Sequence, residues 1–139
     1  RKGLKPCIRL NGTSDISFEN TTIFSDFPNV QFYDYTKVYK RALKHAEGKM
    51  PSNYHLTYSL NEDNKDLAFN ILKLGGNISA VFRKYIPEIF KGYKVINADN
   101  SDLRFNDPKN VICGLIAKGK AKTDFSGFVL DNESEVNYV

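Results

Sequence analysis

The sequence predicts an α/β fold in which a parallel sheet is built from about six β/α units. Six short apolar runs predict the strands, and the connections between them are too long for hairpins, as is typical of parallel strands joined by crossovers. Each run ends in a polar or acidic tip, so we expect the carboxyl ends of the strands to form one functional rim. The runs cover residues 7–10, 30–33, 55–58, 78–82, 93–96 and 111–116.

The connections between the runs contain helical patterns of unequal strength. Apolar residues recur at close to 3.6-residue spacing over residues 64–74, and Gly75 with Gly76 ends that helix. Residues 17–27 and 39–46 predict shorter helices, the second of them amphipathic and basic. Residues 85–90 predict at most one helical turn, with Pro87 near its start.

Chain length limits how these units can be arranged. A closed eight-stranded barrel takes about 250 residues, whereas this chain has 139. An incomplete TIM-barrel-like sheet, an open sheet and a half-barrel completed by a partner chain remain as alternatives. The first run begins close to Arg1, and edge strands are normally covered, so we expect upstream units or a partner chain to complete the fold. Residues 1–130 are expected to form a single domain, followed by an acidic tail at 131–139.

Composition indicates a folded, soluble, intracellular protein. The chain is 41% hydrophobic and 13% aromatic, and it contains neither a transmembrane run of about 20 apolar residues nor a signal segment. We therefore expect no membrane association. Cys7 and Cys113 lie far apart in apolar runs, so we expect both to be small buried side chains rather than a disulfide or part of a zinc or iron–sulfur site.

The net charge of +4 is compatible with an ordinary mixed surface. Two basic segments nevertheless suggest a phosphate-bearing partner. One lies in the predicted helix 39–46, and the other spans residues 118–122, whose alternating lysines would share one face if the preceding strand continued that far. The candidate nucleic-acid-binding residues are Lys40, Arg41, Lys44, Lys118, Lys120 and Lys122.

Two rim motifs have both a structural and a functional interpretation. The segment Asn11-Gly12-Thr13-Ser14-Asp15 could cap the next helix or cradle an anion. It lacks the lysine and second glycine of a phosphate-binding P-loop. Asp34 alternates with Tyr33 at the end of its strand, so it could pair with Lys37 or present a carboxylate at the rim.

The densest polar cluster is residues 97–108. Its Asp and Asn side chains could fold the loop through backbone hydrogen bonds, or, together with Asp15 and Asp34, supply oxygen ligands to Mg²⁺. The glycine and terminal glutamate of a calcium loop are absent. His45 and His55 have no neighbouring nucleophile motif, and we interpret them as structural.

These motifs together give a set of candidate ligand-binding residues at the rim, with no residue assigned to catalysis or to a metal and no cofactor identified. The set is Asn11, Thr13, Ser14, Asp15, Asp34, Ser59, Arg83, Asp99, Asp102 and Arg104.

The sequence also resembles a known family. The runs IRLNGTSDI at 8–16 and NVQFYDYTK at 29–37 resemble the phage and mobile-element proteins grouped as the gene product 88 family. The resemblance continues, in order, through residues 54–59, 80–83, 95–96, 102–105, 107–108 and 117–119, and so covers nearly the whole chain.

The resemblance implies a viral or plasmid-borne α/β protein in the host-cell cytoplasm. It also implies that longer members carry N-terminal cysteine-rich segments similar to metal or iron–sulfur ligands, and that some related phage proteins are similar to radical enzymes with partial barrels. This chain has no cysteine cluster, so no cofactor is carried over to it.

Two functional hypotheses from different classes follow. In the first, the chain is the substrate- or ligand-binding portion of a barrel-like enzyme, with a small-molecule or phosphate-bearing ligand at the rim. In the second, it is a non-catalytic module that binds nucleic acid or a host protein through the basic segments. The sequence does not decide whether the chain is an enzyme.

Overall fold

The computed structural model describes residues 6–12, 14–101 and 103–131. Within these ranges the chain forms eight strands and three α-helices. The strands are β1 (Cys7–Arg9), β2 (Gln31–Thr36), β3 (Tyr54–Ser59), β4 (Asn77–Phe82), β5 (Ile89–Phe90), β6 (Tyr93–Asn97), β7 (Ile112–Ile116) and β8 (Val129–Leu130). The helices are α1 (Ile23–Asp26), α2 (Tyr39–Ala46) and α3 (Lys65–Lys73).

The strands form one open, mostly parallel sheet. Its order is β1-β2-β3-β4-β7-β6-β5, and β8 also pairs with β4. All pairs are parallel except the antiparallel pair of β5 with β6. Of the alternatives that the sequence left open, the open sheet is the one observed, and closure into a barrel is not.

One face of the sheet is covered by the three helices. Tyr58, Ile78 and Phe82 pack with Ala68 and Ile71 of α3 in the larger core cluster, which also includes Ala42 of α2. Phe24 of α1 packs on Phe32, Tyr54 and Leu56 in a second cluster. We call this side the helical face. Burying each large side chain of this kind contributes about 1.5–3 kcal/mol.

The opposite face carries the alternate residues of the same strands. The β6–β7 connection covers one end of this face, because Ala98 and Val111 pack with Cys113, and the ring of Phe105 lies 5.6 Å from that of Tyr33. The end of the face nearest the carboxyl termini of β1 to β4 is more open. We call this side the open face.

The six predicted runs correspond to β1, β2, β3, β4, β6 and β7, and the helices predicted at 64–74 and 39–46 correspond to α3 and α2. In α3 the residues Ala68, Ile71 and Leu72 are the buried ones. Gly76 is closely surrounded, because a Cβ there would lie 2.6 Å from the Ile71 Cγ2 atom and would force α3 or its neighbours to shift. Six complete β/α units are not seen in the described residues.

The shorter helix expected over residues 17–27 is confirmed in part, because the segment contains a 3-10 helix at Phe18–Asn20 and the four-residue α1. Other local expectations were wrong. Residues 85–90 contain β5 rather than a helical turn. β7 ends at Ile116 and the chain enters a 3-10 helix at Gly119–Thr123, so the lysines at 118–122 do not alternate on a strand. Cys7 is exposed because its strand lies at the sheet edge, whereas Cys113 is buried as expected. Residues 132–139 of the predicted tail lie outside the described ranges.

Across the described residues, no helix combines the length and the apolar character needed to cross a membrane.

Candidate functional site

A cavity of about 490 Å³ opens at the carboxyl ends of β1, β2, β3, β4 and β7. We call it the rim cavity. It lies on the open face, because Tyr35, Ser59 and Val81 alternate with residues that are buried beneath the helices. Its lining comprises Arg9, Asn11, Gly12, Ser14, Asp15, Tyr35, Lys37, Ser59, Leu60, Ser79, Val81, Leu115 and Phe128.

The cavity follows from the way β3 and β4 separate. They pair as far as Ser59 opposite Ser79, and beyond that point β4 pairs with β8, beginning with Val81 opposite Val129. The Leu60 amide donates to the Ser79 carbonyl at 2.9 Å as the chain turns away. The hydroxyl oxygens of Ser59 and Ser79 consequently lie 3.5 Å apart in the cavity wall. Open α/β sheets commonly bind ligands in a crevice outside the carboxyl ends of their strands.

A buried hydrogen-bond network fixes the loop at the end of β1. The backbone amide and the side-chain Nδ2 of Asn11 donate to the two oxygens of Asp34 at 2.7 and 2.9 Å. The Asn11 Oδ1 atom accepts from the Ile16 amide at 3.0 Å and from the Ser14 hydroxyl at 2.9 Å. Since Asn11 satisfies both ends of its amide in this way, it holds the loop in place over the rim.

Asp34 lies behind the rim rather than on it. Its side chain belongs to the helical face and is fully buried, and the Tyr54 hydroxyl also donates to it. Burial and the contact with Asp34 raise the pKa of Tyr54 well above its ordinary value. The expectation of an accessible rim carboxylate at Asp34 is therefore corrected, because the alternation of β2 turns it toward the helices.

Arg41 is an internal cation that joins three elements. Its guanidinium forms two hydrogen bonds of 2.9 Å to Glu19, one of 2.5 Å to Asp15 and one of 2.7 Å to the Tyr54 hydroxyl. Burial acts to lower the pKa of Arg41, but Glu19 and Tyr54 outweigh it and raise that pKa above its ordinary value. Only 4% of the side chain is exposed. Arg41 is thus corrected from a nucleic-acid-binding candidate to a structural residue.

The charges left at the cavity are mainly positive. Asp15 is the single carboxylate in the lining, and its oxygens accept from Arg41, from the Thr36 hydroxyl at 2.8 Å and from the Lys37 amide at 2.7 Å. The Arg9 guanidinium lies 5.1 Å from the centre of the Tyr35 ring, and Arg9 and Lys37 are both exposed. The lining therefore carries two cations and one carboxylate, and that carboxylate shares the single charge of Arg41 with Glu19.

The structure brings together only part of the predicted ligand-binding set. Asn11, Ser14, Asp15 and Ser59 line the rim cavity, while Thr13 and Asp102 lie outside the described residues. Arg83, Asp99 and Arg104 are not in the lining.

Those three residues fasten the later connections. Arg83 donates to the carbonyls of Lys122 and Asp124. Asp99 accepts from the Ile116 amide at 3.0 Å and pairs with Lys118 at 3.2 Å. Arg104 is buried with its Nε atom 3.5 Å from an Asp107 oxygen, and its Nη2 atom donates to the Ser101 carbonyl. Asp99 and Arg104 thus fasten the connection between β6 and β7, and Arg83 fastens the connection between β7 and β8.

Sequence reasoning missed several lining residues. Arg9, Tyr35 and Ser79 lie within or beside apolar runs, and their alternation was the available signal. Phe128 reaches the cavity from the connection that precedes β8, and nothing local in the sequence indicates this.

The basic candidates lie on separate elements. Lys40 and Lys44 are exposed on α2. Lys118 is paired with Asp99, and Lys120 and Lys122 are exposed on the 3-10 helix that follows β7.

The two histidines pack against each other, with ring centres 4.9 Å apart and the rings nearly perpendicular. Burial lowers the pKa of His45, and burial together with the charges of His45 and Arg104 lowers that of His55 to about 3.

In the ranges that the structure describes, no three His, Cys, Asp or Glu side chains are grouped to hold a metal ion. Asp15 and Asp34 are occupied by the donors named above, so the magnesium hypothesis finds no support in their geometry.

The fold and the cavity define an open-sheet α/β protein with a cationic pocket at its rim. The family model described as Gene product 88 matches residues 1–132. The chain belongs to the gene product 88 family, as its sequence predicted. Comparisons with curated proteins and with solved structures found no match.

Proposed function

We propose that this chain binds a small anionic ligand in the rim cavity. The observation that supports the proposal is the charge of the lining, in which the two cations Arg9 and Lys37 stand against the single carboxylate of Asp15, itself paired with Arg41. In a partly enclosed site of this kind, cations attract and orient phosphate or carboxylate groups more strongly than they do in open water.

The remaining lining indicates a ligand with an apolar part as well as an anionic group. Leu60, Val81, Leu115 and Phe128 offer apolar contact, and the Ser59 and Ser79 hydroxyls offer hydrogen bonds. The volume of about 490 Å³ is in the range of small-molecule sites, which is about 300–1,000 Å³. A nucleoside monophosphate has the required combination of anion, hydroxyls and flat ring, and is therefore the probe of choice.

The proposal assigns binding to this chain and no catalytic step. The lining contains neither histidine nor cysteine, and its one carboxylate is engaged by Arg41.

Isothermal titration calorimetry with AMP, adenosine and inorganic phosphate tests the proposal. We expect AMP to bind more tightly than either phosphate or adenosine, because only AMP uses both the cations and the apolar wall. Arg9→Ala and Lys37→Ala should each weaken AMP binding by about tenfold, as expected for loss of a charge-assisted hydrogen bond.

Lys49→Ala is the matched control, because Lys49 is exposed, pairs with Glu47 and is not in the lining. Its affinity for AMP should equal that of the unmodified protein. Equal binding of AMP and adenosine, or no binding of AMP or phosphate, would overturn the proposal.

A further inference from the structure

We propose that the connection between β7 and β8 carries a second surface, which binds single-stranded nucleic acid. This inference goes beyond the small-ligand site and does not depend on it. Its centre is Phe125, which is 79% exposed and is the most exposed large hydrophobic side chain in the described part of the chain. Most of the ring is therefore accessible to a base that stacks on it.

The ring is held by a structured loop. The Arg83 guanidinium lies 4.3 Å from the centre of the Phe125 ring. Arg83 is itself fixed because Nη1 donates to the Lys122 carbonyl at 2.9 Å and Nη2 donates to the Asp124 carbonyl at 2.6 Å. A stacking platform that is ordered before binding loses less conformational entropy when a base is added.

The charges around the platform suit a phosphate backbone. Lys120 and Lys122 are exposed on the same connection. Arg83 adds a third cation, whereas the carboxylates of Asp124 and Glu62, which the Ser126 hydroxyl contacts at 2.5 and 3.1 Å, keep their negative charge. The three cations outnumber the two carboxylates, so the charge around the platform is positive by one.

Single strands fit this surface better than a duplex. Bases stack on exposed aromatic rings in single-strand-binding sites while cations follow the phosphates. In a duplex the base faces are covered by their neighbours, and reading a groove normally requires an inserted helix or β-ribbon. The connection offers a projecting ring and a 3-10 helix of five residues, which is not a groove-reading element.

Fluorescence anisotropy with labelled oligonucleotides of about 15 nucleotides tests this assignment. Oligo(dT) and oligo(U) serve as separate arms that distinguish DNA from RNA, and a duplex of equal length is the third arm. We expect one or both single strands to bind more tightly than the duplex at low salt. Phe125→Ala should weaken that binding by about tenfold, and Phe125→Tyr should retain it.

Phe27→Ala is the control, because Phe27 is 54% exposed and lies after α1, on a different segment. It should leave the affinity unchanged. Replacing Lys120 and Lys122 together by alanine should reduce the slope of log K against log salt by about 1.4, at about 0.7 for each phosphate contact. The control for that double variant is Lys73→Ala, which removes an exposed lysine from α3.

Absence of oligonucleotide binding at 50 mM salt, equal or tighter binding of the duplex, or an unchanged affinity in Phe125→Ala would each overturn the proposal. Because Phe125 is not in the rim cavity, Phe125→Ala should leave AMP binding unaltered. Failure of one proposal is therefore distinguishable from failure of the other.

Discussion

At the scale of single residues, the buried polar network beneath the rim determines the shape of the site. Asn11 binds the Asp34 carboxylate, which is distant in sequence. Arg41 likewise binds the distant carboxylates of Asp15 and Glu19. Such groups specify a conformation because leaving one of them unpaired costs more free energy than the pair contributes. We therefore expect their removal to affect stability and ligand binding together.

Asn11→Ala should lower the free energy of unfolding by about 2–3 kcal/mol, because it removes the side-chain donor to buried Asp34 and the acceptor for the Ile16 amide. Urea denaturation followed by circular dichroism measures the change. Asn20→Ala, at an exposed position, is the control and should shift the midpoint very little. A loss in Asn11→Ala no larger than in the control would contradict the structural role of Asn11.

Arg41→Ala should destabilise the fold by about 3–5 kcal/mol, because it leaves the Glu19 and Asp15 carboxylates without their buried partner. Arg41→Lys should recover only part of this loss, since an ammonium cannot reproduce the paired hydrogen bonds to Glu19. Lys40→Ala is the control, because Lys40 is the exposed neighbour of Arg41. It should change the free energy of unfolding by less than about 0.5 kcal/mol. Equal stability of the Arg41→Ala and Lys40→Ala proteins would show that Arg41 is not the internal cation described.

At the scale of elements, apolar patterning predicted the strands better than the connections. The runs that became β2 and β4 are recognisable because buried strands need apolar or alternating side chains. The segment 85–90 contains Pro87 and a few apolar residues, a pattern compatible with either a turn or a strand. Residues Ile89 and Phe90 form the strand β5 because they pair with β6. The two-residue β8 pairs with β4 across almost fifty positions of sequence, so no local signal marks it.

The contact of His45 on α2 with His55 on β3 predicts a pH-dependent stability. Burial lowers the pKa of both, to about 3 for His55, below the ordinary value of 6.5. The unfolded chain therefore takes up protons that the folded chain does not. For His55, the stability is fully present above the unfolded pKa of 6.5 and falls as the pH is lowered toward the folded pKa of about 3, by up to about 1.4 kcal/mol per pH unit. The lowered pKa of His45 acts in the same direction.

Urea denaturation at pH 7.5 and 5.5 tests this prediction. The unmodified protein should be less stable at the lower pH, and His55→Gln should show a smaller difference between the two. An identical pH dependence in both proteins would contradict the account of His55.

At the scale of the whole molecule, the order of strands creates the site, and this order was the least predictable feature. The pairing of β4 with β7 on one side and with β8 on the other places Leu115 and Phe128 beside Ser59 and Ser79, although they are far apart in the chain. A cavity at the carboxyl ends of the strands was to be expected, because parallel strands share one direction. Which strand ends meet at the cavity depends on the crossover connections, and local sequence patterns do not encode these. The sequence analysis therefore placed Asp99 and Arg83 at the rim together with Ser59, although only Ser59 lines the cavity.

The most direct test of the central claim is a titration of ¹⁵N-labelled protein with AMP, followed by backbone amide chemical shifts. We predict that the largest changes in chemical shift occur at the amides of Gly12, Ser14, Ser59, Leu60 and Ser79, which line the rim cavity. Changes concentrated at residues 119–126, with the rim amides unaffected, would contradict the claim that an anionic small ligand binds at the carboxyl ends of the strands.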